Sequence, residues 1–166
     1  MKHISIILTF LMTINTQVKA EDVKMQSLES ILRTEKSIAT VNVMLARCAA
    51  LYMVTANWIE EQKDEGLKAK GKRFATEASQ MVQLHVGFSS MLSGVQDEDE
   101  LFSAITERIK IVSPEYVQLM LQSKMMSGSA FENKVVMSDF ETCQNFIGIS
   151  EEVMALELEK LEDVQQ

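Results

Sequence analysis

The chain of 166 residues has one proline, one tryptophan, two cysteines, two histidines and six glycines. Each scarcity removes a class of function. No Cys-x-x-Cys-His is present, which excludes covalent c-type haem. A carboxylate-bridged di-iron bundle needs two Glu-x-x-His pairs, but only His85 lies beyond the first residues, and position 82 is valine. Neither Gly-x-Ser-x-Gly nor a glycine-rich phosphate loop occurs, so the common nucleophile and nucleotide signatures are missing. No run alternates apolar and polar residues as a half-buried strand would. The formal charge is −8, and no basic stripe carries interleaved aromatics, which argues against nucleic acid and anionic lipid as partners.

The first residues read as an export signal. Met1-Lys2-His3 is a short basic end, Ile4 to Ile14 is almost uninterruptedly apolar, and Val18-Lys19-Ala20 supplies small residues at a cleavage site. The apolar run is shorter than the roughly 20 residues a spanning helix needs. Residues 1–20 are therefore expected to be a signal peptide and residues 21–166 a single domain with no stable membrane anchor after cleavage. Cleavage removes Lys2 and Lys19, leaving 14 basic residues against 24 acidic ones, a charge of −10. A periplasmic or secreted location follows from this reading.

What is plentiful is helical periodicity. Ile31, Ile38, Leu45, Tyr52 and Ile59 recur every seven residues, with Val41, Met44, Cys48 and Leu51 on the same side. This places one apolar stripe along a helix ending near Lys63, broken near Thr34 to Ser37 and closed by Gly66. A second stripe (Phe74, Ala78, Met81, His85, Phe88, Leu92, Val95) predicts a helix from about Leu67 to Ser93, with Gly94 beyond it. The acidic run at 97–100 suits the positive end of a third helix. It lacks the glycine and final glutamate of a calcium loop. Phe102, Ile105, Ile109, Val112 and Tyr116 continue that helix to about Met126. Ser113-Pro114-Glu115 reads as a fresh start, so a kink or brief interruption is expected there. A fourth helix is predicted over Ala130 to Ile147, and a last one from Ser150 to about Val164, with Met154, Leu158 and Leu161 as its apolar side. The pattern predicts an all-α bundle of four main helices plus a C-terminal helix. The C-terminal stripe also offers a surface for homodimerisation.

Cys48 and Cys143 both occupy apolar helical positions. Buried free thiols would fit those faces as well. The export signal tips the reading towards a disulfide, which would pin an early helix to a late one and add about 4 kcal/mol by chain entropy.

Three features invite a chemical reading. His85 sits in the stripe of the second helix near Met81, so the pair is a candidate position for a metal or haem ligand in a small-ligand carrier; the plainer account is a core histidine bonded to a carbonyl or hydroxyl. Methionine is abundant, 12 in all. It serves as core filler, as a soft copper ligand or as an adaptable binding surface. Lys68, Lys70, Lys72 and Arg73 crowd a helix start, where cations are disfavoured, so they mark either a contact site or a solvated face paired with Glu60, Glu61 or Glu65. No catalytic or metal site and no cofactor is expected, and the residues that would bind a cofactor are left unassigned. The function expected is that of an exported, non-enzymatic helical protein that binds another protein in the cell envelope or outside the cell.

Overall fold

The computed structural model describes residues 25–62, 65–94, 97–146 and 149. The expected signal peptide and the whole of the expected C-terminal helix lie outside them. The described residues are helical without strands: α1 (Leu28–Thr34), α2 (Ile38–Glu61), α3 (Glu65–Ser93), α4 (Glu98–Ser127) and α5 (Lys134–Gln144).

Local chemistry sets most of these boundaries. Ser27 caps α1 by accepting from the Ser30 N–H, and Ser37 caps α2 by accepting from Thr40. The break expected near 34–37 is real: α1 stops at Thr34, with the Glu35 N–H donating to the Ile31 carbonyl, and Ser37 caps the start of α2. Asp97 caps α4 by accepting from the Asp99 and Glu100 N–H groups. Gly94 and Gly128 follow α3 and α4 with φ of +67° and +82°, left-handed values that side chains disfavour.

Three expectations need correction. Gly66 does not end a helix; α3 begins at Glu65 and takes the glycine into its first turn. The last described helix starts at Lys134 rather than Ala130, because Asn133 Oδ1 accepts from the Val135 and Val136 N–H groups at 2.9 and 3.3 Å; it is described as far as Gln144, and the expected end at Ile147 lies outside the described residues. Ser113-Pro114 does not interrupt α4, which runs through as one helix. Ser113 is fully buried with its hydroxyl unpartnered instead of capping a new helix.

α2 is the central strut, but it is more than an amphipathic stripe. Seventeen of its 24 residues are buried, so it is covered on nearly every side. Its length and composition would let it cross a bilayer, yet 83% of that window is buried in the bundle, as in a core helix. α3 returns antiparallel, with Phe74 against Tyr52 at 5.5 Å between ring centroids. At the close approach near the α2 end, a Cβ on Gly71 would stand 3.2 Å from Ile59 Cγ2. α4 runs parallel to α2, since Arg47 meets Tyr116 and Lys124 Nζ lies 5.1 Å from the Trp58 ring centroid. α5 crosses onto α2 and α3 through Phe140, whose ring is 5.9 Å from Tyr52 and 5.7 Å from Phe74.

Candidate functional site

The predicted disulfide is present. Cys48 and Cys143 are bonded with 5.6 Å between their Cα atoms, across 95 residues of sequence, and both are essentially inaccessible. Beside it lies a polar cluster that the periodicity alone did not reveal. Arg47 Nη2 donates to Asp139 Oδ2 at 2.5 Å, and the Tyr116 hydroxyl donates to the same oxygen. The other carboxylate oxygen, Oδ1, accepts from the Leu28 N–H at 2.6 Å. Arg47 also donates through Nη1 to the Gln26 carbonyl at 2.7 Å and through Nε to the Tyr116 hydroxyl at 3.3 Å.

This cluster joins four helices. Leu28 is the first residue of α1, so Asp139 on α5 satisfies one of the backbone N–H groups that a helix start leaves open. Arg47 comes from α2 and Tyr116 from α4. Asp139 is fully buried and Arg47 nearly so. Burial, reinforced by the adjacent Asp139 charge, pushes the Tyr116 hydroxyl far above its ordinary pKa, so it serves as a fixed donor. Both oxygens of the carboxylate are engaged inside the protein, so the cluster clamps the fold.

His85 is also enclosed, at 2% exposure. Its Nδ1 lies 3.1 Å from Ser89 Oγ and its Nε2 lies 3.4 Å from Arg108 Nη1. Burial first and the Arg108 charge second lower its pKa to about 4, so the ring is neutral at pH 7, with Nε2 the acceptor towards Arg108. Met81 stands one turn away and is 5% exposed. No group of three or more His, Cys, Asp or Glu side chains suited to a metal ion occurs among the described residues.

The lowered pKa has a testable consequence. In the unfolded chain the histidine takes up a proton near pH 6.5, whereas the folded protein resists until about pH 4. The unfolded state therefore binds more protons in that window, and stability falls as pH drops from 6.5 towards 4. The expected loss is about 3 kcal/mol. Urea midpoints at a series of pH values should show it, and His85→Gln should flatten that part of the profile.

The basic cluster remains on the surface. Arg73 pairs with Glu77 at 2.9 Å and lies over the Phe74 ring, rather than reaching the acidic end of α2. Tyr52, next to this pair, has its hydroxyl pushed up to about 12, by burial first and by Glu77 second.

The outer side of α4 differs from all of these. Its inner positions, including Ile105, Ile109, Tyr116, Leu119 and Met120, are buried. Ile111, Pro114, Gln118, Leu121 and Met125 recur at steps of 3, 4, 3 and 4, which puts them on one opposite row. Ile111 is 69% exposed, Leu121 39% and Met125 77%, with Met126 beside the row at 88%. Four of the seven large apolar residues that face solvent among the described residues thus lie on α4. The row extends about 21 Å at 1.5 Å per residue. Periodicity found the inner side of α4 and left these residues unexplained.

Searches against protein-family models, curated proteins and solved structures find no match for this chain.

Proposed function

We propose that the protein is an exported, non-enzymatic helical bundle that binds another protein through the outer row of α4. One observation carries this reading: a helix of 30 residues exposes Ile111, Leu121, Met125 and Met126 while its other side holds the core. Exposed apolar residues gathered on one face are characteristic of association surfaces, and the anchors of a helix-mediated contact fall at this 3–4 spacing. The disulfide and the Asp139 cluster support the reading because they hold the scaffold beneath that face rigid. Export rests on the signal-like first residues, and the disulfide is compatible with it.

The test is a variant carrying Ile111→Glu, Leu121→Glu and Met125→Glu, compared with the native protein by amine-reactive crosslinking in cells that make it. The native protein should give a discrete higher-mass adduct with another protein, and the variant should lose it. An adduct of unchanged yield in the variant would place the contact elsewhere and overturn the assignment.

A further inference from the structure

We propose that Met125 and Met126 are a reversible oxidation site, and that converting them to sulfoxides withdraws the α4 face from binding. The inference rests on the α4 reading above and adds its regulation.

Three observations lead to it. The chain has two cysteines in all, and they are bonded to each other, so no thiol is left to meet an oxidant. The sulfur that remains is thioether. Among the described residues its exposure varies widely: Met125 and Met126 are 77% and 88% exposed and Met137 is 48% exposed, Met25 is half-buried, and Met44, Met53, Met81 and Met120 lie between 0% and 5%. Thioether oxidation follows access, so among the described methionines the pair at the end of α4 reacts first. These are also the residues that make the end of the outer row apolar.

The chemistry balances with a hydroperoxide as oxidant. A sulfur lone pair attacks one peroxide oxygen, the O–O bond breaks, and the sulfur keeps that oxygen as a sulfoxide. For hydrogen peroxide the other oxygen leaves as water after proton transfer. Sulfur is oxidised by two electrons and the peroxide reduced by two. The product is polar where the thioether was apolar, and methionine sulfoxide reductases reverse it. Because neither side chain is in the core, the fold is untouched while the face changes character.

The experiment treats the full mature chain with hydrogen peroxide and follows each methionine by peptide mass mapping. In parallel, the fluorescence of anilinonaphthalene sulfonate reports exposed apolar surface. Met125 and Met126 should gain one oxygen each at least about tenfold faster than Met44 and Met120. Dye emission should fall several-fold and return after reductase treatment. Met125→Leu with Met126→Leu should keep the dye signal and make it insensitive to peroxide. Equal oxidation of buried and exposed methionines, or a peroxide-induced loss of dye emission that persists in the double leucine variant, would overturn the proposal. Ile111→Glu with Leu121→Glu separates the two claims. If it lowers dye emission but peroxide does not, the face stands and its regulation fails. If it leaves dye emission unchanged, the apolar-face reading fails first.

Discussion

Replacing Asp139 with asparagine should destabilise the protein by about 3–5 kcal/mol, the range for breaking a buried ion pair from one side. The cause is specific. The Arg47 guanidinium is buried against Asp139, and once the carboxylate charge is gone it faces neutral acceptors, among them the Gln26 carbonyl and the Tyr116 oxygen, with no countercharge. For a domain of this size the thermal midpoint should drop by on the order of 10 °C. Because most of that cost is an orphaned charge, removing the charge as well should recover much of it. Arg47→Met combined with Asp139→Leu should therefore be markedly more stable than Asp139→Asn, as when apolar side chains replace a buried pair. Urea unfolding of the three proteins checks this. A double variant no better than the single one would mean that the hydrogen bonds to Leu28 and Tyr116, rather than the charge, dominate the cluster.

Loss of the Cys48–Cys143 bond should have an effect of similar size. The bond closes a loop across 95 residues, and the chain-entropy estimate for a loop that long is about 4–5 kcal/mol. Cys48→Ala with Cys143→Ala should lower the urea midpoint accordingly while leaving the helical circular dichroism of the folded state intact. With Cys48 and Cys143 0% and 1% exposed, a thiol reductant should cleave the native bond slowly and cleave it quickly once urea unfolds the chain. Fast reduction without denaturant would show that α5 leaves α2 readily. The two losses should not simply add, since Asp139 and Cys143 stand one helical turn apart on α5 and fasten it to neighbouring residues of α2.

Much of this architecture is written in periodicity and punctuation. The seven-residue recurrence through Leu45, Tyr52 and Ile59 identified α2, and the 3–4 rhythm through Ala78, Met81 and His85 identified α3. The export context favoured the pairing of Cys48 with Cys143. What escaped are features that depend on three-dimensional neighbours. Arg47 is the only charged residue between Lys36 and Glu60, a signal that it needs a buried partner. Asp139 lies one turn before Cys143 on the inner side of α5, so the disulfide itself points to the pairing. A helix started at Ala130 hid the cap at Asn133, because helix pattern extends through Ala130 and Phe131 while the backbone does not. The continuity of α4 through Pro114 also escaped, since a Ser-Pro pair suits a helix start and only packing decides whether it becomes one. The outer row of α4 escaped as well, since the inner stripe accounted for the periodicity and only burial showed that Ile111, Leu121 and Met125 face outward.

The division of α4 into an inner side that holds the fold and an outer row left for another molecule is the centre of this account. Urea unfolding of the Ile111→Glu, Leu121→Glu and Met125→Glu variant tests it most directly. If the row faces solvent in the folded protein, its stability should stay within about 1 kcal/mol of native, as for exposed substitutions away from structural features. A loss of more than about 3 kcal/mol, the scale of core disruption, would show that the protein itself covers this face and would contradict the account.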